Sequence, residues 1–142
     1  MTGIPDGSDP AELATWLFDR ARLGEAQRLA AYVDAGAPVN LTDAEGNTLL
    51  MLAAYHGQAD TVRALLERGA DPDALNDRGQ SPLAGAVFKQ EADVIAALLE
   101  GGADPDAGTP SARATAQMFG VSLVEPTSSA SGVETTERTN LQ

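Results

Sequence analysis

The sequence predicts an all-α solenoid of about four helix-turn-helix repeats followed by a C-terminal tail. ALLERGADPDA begins at Ala64 and ALLEGGADPDA begins at Ala97, 33 residues later, with ten of eleven letters identical. Glycines and large aliphatic residues recur at the same step, and a period of this size is typical of solenoid proteins. The recurring sets are Leu17, Leu50 and Leu83; Leu29, Val62 and Ile95; Val33, Leu66 and Leu99; and Gly36, Gly69 and Gly102.

The composition fits one soluble domain with a core of small and aliphatic side chains. The chain has 142 residues, no Cys and only 4% aromatic residues, so Ala, Leu and Val must form most of the core. Residues 1–10 lack the basic and apolar regions of a signal peptide, and no segment approaches the length of a membrane span. We therefore expect a cytoplasmic protein.

The charge argues against nucleic acid and membrane as partners. Nine basic and 21 acidic side chains give a formal net charge of −12 at pH 7. Such a chain repels DNA, RNA and anionic lipid. The acidity favours solubility, and it also fits a protein that is steered towards a basic partner.

The second period indicates how each repeat is built. The hydroxyl of Thr48 can cap a first helix that runs through Ala54, and Gly57 ends that helix. A second helix is predicted at about Asp60 to Arg68, with Gly69 as its left-handed stop.

The other periods follow the same pattern with departures at the two ends. Ser81 is the predicted cap of the third repeat, with Pro82 in the first helical position, and Ser111 is the predicted cap of a fourth repeat after a shortened connection. The first repeat has a diverged opening, as terminal repeats commonly do. The predicted domain covers residues 9–124, with repeats at about 9–41, 42–74, 75–107 and 108–124, before a polar tail at 125–142.

Two segments resemble the ankyrin repeat, with its T-P-L-H-x-A opening and G-A-D-x-N-A close. They are GNTLLMLAAYHGQADTVRALLERGADPDA (46–74) and GQSPLAGAVFKQEADVIAALLEGGADPDA (79–107). The chain is similar to the small stand-alone ankyrin proteins that are common in bacteria. Met51 and Ala84 replace the motif's His, so we expect the hydrogen bonds of that His between repeats to be missing.

No residue pattern indicates catalysis. The pairs Asp71/Asp73 and Asp104/Asp106 suggest a calcium or acid–base site, but both lie in the closing turn, where Asp accepts backbone hydrogen bonds. His56 is the only His, and its spacing suggests no nucleophile or metal partner. We expect no enzyme, no cofactor and no metal site.

The resemblance implies a groove between the first helices and two projecting finger loops, and family members commonly hold protein partners there. The finger loops are the connections 42–47 and 75–80, and we expect their side chains to be exposed. The pairs that precede the mid-repeat turns would form two columns in the groove. One column is Arg22, Tyr55, Phe88 and Met118; the other is Leu23, His56, Lys89 and Phe119; the finger residues are Thr42, Ala44, Glu45, Asn47, Leu75, Asp77, Arg78 and Gln80.

Two alternatives remain open for the columns, and two for the function. Aromatic residues and Met are enriched at interface centres, but these side chains could instead fold back and seal the helix pairs. The chain is either a monomeric module that binds a protein partner through the groove and fingers, or an acidic inhibitor or immunity-type protein that covers a basic site. Salt separates the two functions, because electrostatic steering weakens with ionic strength.

Overall fold

The structure is a computed structural model, and it describes residues 9–123. The described chain consists of helices and connecting turns without a β-strand, which confirms the predicted all-α solenoid. None of its helices is both long and apolar enough to cross a bilayer. Val124 and the predicted tail at 125–142 lie outside the described residues. The helices are α1 (Pro10–Leu23), α2 (Ala26–Asp34), α3 (Leu49–Tyr55), α4 (Ala59–Glu67), α5 (Pro82–Phe88), α6 (Ala92–Glu100) and α7 (Ala112–Phe119).

The helices form two layers with the core between them. Helices α1, α3, α5 and α7 pack side by side in one layer, and α2, α4 and α6 pack in the other. The recurring Leu17, Leu50 and Leu83 are all buried in that core, so the 33-residue step places equivalent side chains in equivalent environments. Leu66 is only half-buried, whereas its neighbour Leu65 is fully buried.

Side-chain hydroxyl groups cap the N-termini of three helices of the first layer. The Oγ1 of Thr48 accepts from the amide of Met51 at 3.0 Å. The Oγ of Ser81 accepts from Ala84 at 3.0 Å, and the Oγ of Ser111 serves α7 in the same way. Each hydroxyl satisfies an amide that has no partner inside its helix.

The turns between paired helices require a left-handed backbone. Gly24 and Gly57 adopt φ values of +76° and +75°. Gln90 occupies the equivalent position in the third repeat with φ of +58°. This backbone conformation has a higher free energy for a residue with a Cβ than for glycine.

A second difference between repeats lies beside these turns. Gln58 donates from its Nε2 to the carbonyl of Arg22 at 2.8 Å and so satisfies the end of α1. Glu91 occupies the equivalent position one repeat later. Its carboxylate lies against Gly57, since a Cβ added to Gly57 would stand 2.9 Å from both carboxylate oxygens. A carboxylate has no proton to donate, so the end of α3 lacks the equivalent hydrogen bond.

The acidic pairs of the closing turns accept backbone hydrogen bonds within a turn and between successive turns. Asp71 Oδ1 accepts from the amide of Asp73, and Asp73 Oδ1 accepts from the amide of Asp104 in the next repeat, at 2.9 and 2.7 Å. At the last turn Arg113 donates to Asp106 at 2.8 Å, and this hydrogen bond lowers the pKa of Asp106. Residues 9–123 contain no cluster of His, Asp and Glu suited to a metal ion.

Candidate functional site

Two adjoining cavities lie on the exposed side of the first helix layer, next to the finger loops. The first, called the apolar cavity here, has a volume of about 370 Å³ and spans α3, α5 and α7. Its lining comes from three repeats, as the groove interpretation expects. The lining residues are Met51, Tyr55, Gln80, Ala84, Gly85, Phe88, Pro110, Thr115 and Met118.

The floor of the apolar cavity is open because α5 contains a glycine there. A Cβ added to Gly85 would stand 3.5 Å from Cδ1 of Tyr55 and 3.8 Å from Sδ of Met51, which are ordinary contact distances. Leu52 occupies the same position one repeat earlier and is buried. Because Gly85 has no side chain where α3 has that of Leu52, space is left on the cavity side of α5.

Tyr55 and Phe88 form the aromatic part of the wall of the apolar cavity, and each of them contacts a residue that lies outside the lining. Phe88 and Phe119 meet edge to face, with ring centroids 5.7 Å apart. The Lys89 ammonium lies 4.9 Å from the centroid of the Tyr55 ring, a cation–π contact. Phe88 is nevertheless 55% exposed and Met118 69% exposed, far more than the sealing alternative requires.

The second cavity, called the polar cavity here, has a volume of about 300 Å³ and lies against both finger loops. It shares Met51, Tyr55 and Gln80 with the apolar cavity. The other residues that line it are Arg22, Asp43, Glu45, Asn47, Leu52, Asn76 and Arg78.

Asn76 fixes the shape of the second finger. Its Oδ1 accepts from the amides of Arg78 and Gln80, each at 3.0 Å, so its Nδ2 is the donor end. That Nδ2 donates to Oε1 of Gln80 at 2.8 Å and to Oδ1 of Asn47 at 2.9 Å. The side chains that face the cavity are therefore held by hydrogen bonds within and between the fingers.

The prediction that Asn47 is an exposed finger residue is wrong. Its exposed fraction is 9%, and it accepts from Asn76 of the second finger. Its own Nδ2 donates to the carboxylates of Asp43 and Glu45 at 3.4 Å. A buried amide must satisfy its donors and acceptor, and Asn47 does so by joining the two fingers.

The remaining predicted residues divide between the cavities and the surrounding surface. Thr42, Ala44, Glu45, Leu75, Asp77, Arg78 and Gln80 are exposed in the fingers, as expected. Arg22 is half-buried and pairs with Asp19 at 2.9 Å. His56 contacts the carbonyl of Leu52 in its own helix through Nδ1. The whole second predicted column lies outside both cavities; its residues are Leu23, His56, Lys89 and Phe119.

Five residues of the apolar cavity were missed by the sequence prediction. Gly85 had a signal in the sequence, because glycine inside a helix is less favourable than alanine and leaves the position without a side chain. The others become neighbours only when the repeats stack. The missed residues are Met51, Ala84, Gly85, Pro110 and Thr115.

Sequence comparison defines the family. The profile of ankyrin repeats matches residues 17–109 as three copies. The chain belongs to the ankyrin repeat family, whose members are generally protein–protein interaction modules and typically non-catalytic. Comparison with curated proteins gives no match.

A solved structure agrees with this family. The crystal structure of the human ASB11 ankyrin repeat domain matches with a TM-score of 0.60 and 30% sequence identity. The match covers 63% of this chain and 40% of that chain, so this chain corresponds to less than half of the ASB11 domain. The small stand-alone bacterial type stays a prediction from the sequence.

Proposed function

We propose that the chain binds a protein partner through the groove formed by α1, α3, α5, α7 and the two finger loops. One observation supports this most strongly. All of the large hydrophobic side chains that are exposed in the described chain belong to the predicted groove and finger set, and none lies on the second helix layer. They are Leu23, Tyr55, Leu75, Phe88, Met118 and Phe119.

The arrangement of these groups fits an interface. Protein interfaces typically have an apolar centre with aromatic and Met side chains and a polar rim. Here the apolar cavity would supply the centre and the finger loops would supply the rim. We propose that the chain acts as a monomer, in the cytoplasm, without a cofactor and without catalysis of its own.

The alternative function, an acidic inhibitor of a basic site, is favoured by the charge. The net charge is −12, and the fingers hold the acidic Asp43, Glu45 and Asp77 against one basic residue, Arg78. Binding that depended mainly on these charges would weaken steeply as salt rises, because surface charges are screened.

Capture of partners at low and high salt, with mass spectrometry, tests the proposal. Replacing Phe88 by Ala should weaken binding of a captured partner by about 2 kcal/mol or more, since a desolvated aromatic anchor contributes much of the binding energy. The melting temperature should change little, because Phe88 is largely exposed. Arg63→Ala is the control, because Arg63 is exposed on α4 in the second helix layer and lines neither cavity.

Two results would contradict the groove proposal. A large loss of stability in Phe88→Ala, with unchanged affinity of the folded fraction, would show that Phe88 seals its repeat. Binding that survives Phe88→Ala but is lost in high salt would favour the acidic inhibitor instead.

A further inference from the structure

We propose that the apolar cavity above Gly85 is a pocket for one aromatic side chain of the partner, and that this side chain is next to a basic residue in the partner's sequence. The inference rests on the proposed groove function and names the chemistry that the groove recognises. Four observations support it: the open floor at Gly85, the composition of the wall, a free donor on Gln80, and the charge of the fingers.

The fold does not require the glycine at the floor of the pocket. Glycine inside a helix is less favourable than alanine, and Gly85 does not have a positive φ that would demand it. A Cβ there would meet Tyr55 and Met51 at ordinary distances, so neither neighbour excludes alanine. The empty space is therefore a feature that packing alone does not explain.

The wall suits an aromatic occupant. Met51 and Met118 bring thioether groups, and Tyr55 and Phe88 bring rings, to the same cavity. Thioether sulfur and ring edges both make favourable contacts with an aromatic ring. A volume of about 370 Å³ is near the lower end of the range for ligand pockets, so it has room for a large side chain but not for a whole helix.

Gln80 offers a hydrogen-bond donor at the edge of the pocket. Its Oε1 already accepts from Nδ2 of Asn76 at 2.8 Å, and the two backbone amides bound to Asn76 Oδ1 fix that orientation. The Nε2 of Gln80 makes no hydrogen bond within residues 9–123. A carbonyl of the partner's backbone beside the anchor side chain can accept from it.

The charge of the finger loops favours a basic neighbour for the aromatic residue. The polar cavity, which shares a wall with the pocket, is lined by the carboxylates of Asp43 and Glu45 and by Arg22 and Arg78. The charge of Arg22 is offset by its ion pair with Asp19 at 2.9 Å, and Lys89 is held on the Tyr55 ring, so the finger carboxylates are the groups that a basic side chain of the partner would meet. Arg78 is paired with Glu45 only at 3.9 Å, and Asp77 adds a third carboxylate to the fingers. A second copy of this chain is a poorer occupant, because two chains of charge −12 repel each other.

Peptide selection tests the proposal with a defined probe. A phage library of random dodecapeptides is selected on the full chain and counter-selected on the Gly85→Leu variant, in which leucine would fill the pocket. The enriched peptides should share one aromatic residue next to Arg or Lys. No enrichment, or a consensus without an aromatic residue, would overturn the proposal.

The variants are then compared with a fluorescent synthetic peptide of the consensus sequence. Gly85→Leu should lower its affinity about tenfold or more, and replacing the peptide's aromatic residue by Ala should do the same. Ala96→Leu is the matched control, because Ala96 is exposed on α6 in the other layer, and it should leave the affinity unchanged.

Gly85→Ala keeps the test valid if Gly85→Leu does not fold. Alanine fits the site and favours the helix, so this variant should melt at a higher temperature yet bind the peptide about threefold more weakly. Unchanged affinity in a folded Gly85 variant refutes the pocket. A dimer in sedimentation that Gly85→Leu abolishes would overturn the proposal by assigning the pocket to a second copy.

The same variants separate failure of this inference from failure of the proposed function. If Phe88→Ala prevents capture of a protein partner and Gly85→Leu does not, the groove binds but the pocket is not used. If neither change affects capture, the groove itself is not the binding surface.

Discussion

Replacing Thr61 by Val is expected to stabilise the protein. Thr61 lies in α4 with an exposed fraction of 0%, and its Oγ1 has no hydrogen-bond partner within the described residues. A buried polar group without a partner costs about 1–3 kcal/mol. Val94 occupies the same position one repeat later and is also fully buried, so the site accepts the shape of valine.

The expected gain in the free energy of unfolding is about 1–2 kcal/mol, because Thr and Val have similar helix propensities and the polar penalty is the main difference. Urea denaturation followed by circular dichroism measures it. The midpoint should rise while the m-value stays constant, as expected when the surface exposed on unfolding is unchanged.

Thr115→Val is the matched control for this prediction. Thr115 is also buried, but its Oγ1 donates to the carbonyl of Ser111 at 2.8 Å. Removing a satisfied hydroxyl should give no gain, or a loss of about 0.5–1.5 kcal/mol. An unchanged or lowered stability of Thr61→Val, or an equal rise in both variants, would refute the reasoning from the missing hydrogen bond.

Three further changes test the differences between repeats and the final turn. Glu91→Gln should raise the free energy of unfolding at neutral pH by about 0.5–1.5 kcal/mol, because an amide can donate to the end of α3 as Gln58 does for α1; an unchanged denaturation midpoint would contradict this. Gln90→Gly should add about 0.5–1 kcal/mol by relieving the left-handed backbone, and a lower melting temperature would count against that cause. Arg113→Ala should raise the pKa of Asp106 towards its ordinary value in an NMR titration. Because the pKa is lowered in the folded state, the stabilisation exists above the unfolded pKa and is lost as pH falls through the folded pKa, so the variant should lose less stability in acid; an unmoved pKa would contradict the assignment.

The fold could be predicted from the sequence because a solenoid repeats its environments. Leu17, Leu50 and Leu83 recur at one step, and a residue that is buried in one repeat is buried in the next. The helix starts at Thr48 and Ser81 were predictable for a local reason, since a hydroxyl caps the helix that directly follows it. The second helix of the second repeat, α4, begins and ends one residue earlier than predicted, at Ala59–Glu67.

The cavities could not be predicted in this way because they depend on contacts between repeats. Asn47 was expected to be exposed from its place in a polar loop, but a hydrogen bond from Asn76, 29 residues later, holds it in a buried position. Met51 and Met118 both line the apolar cavity, but they are too far apart along the chain for a local sequence pattern to show that they are neighbours. Single-residue patterns report local structure, whereas these neighbours are set by stacking.

Departures from the repeat can be sorted by what they do to stability. In a solenoid, equivalent positions have equivalent surroundings, so the residue of one repeat is a natural guide to what the next would accept. Thr61, Gln90 and Glu91 each differ from the residue at the same position of a neighbouring repeat, which is Val94, Gly57 or Gln58. We expect each difference to cost stability, and none of the three residues lines either cavity. Gly85 also departs at a cost, but its departure opens the floor of a cavity lined by aromatic and Met side chains. If the proposed replacements raise stability at all four positions and lower affinity only at Gly85, then the missing Cβ is explained by the ligand and not by chance variation between repeats.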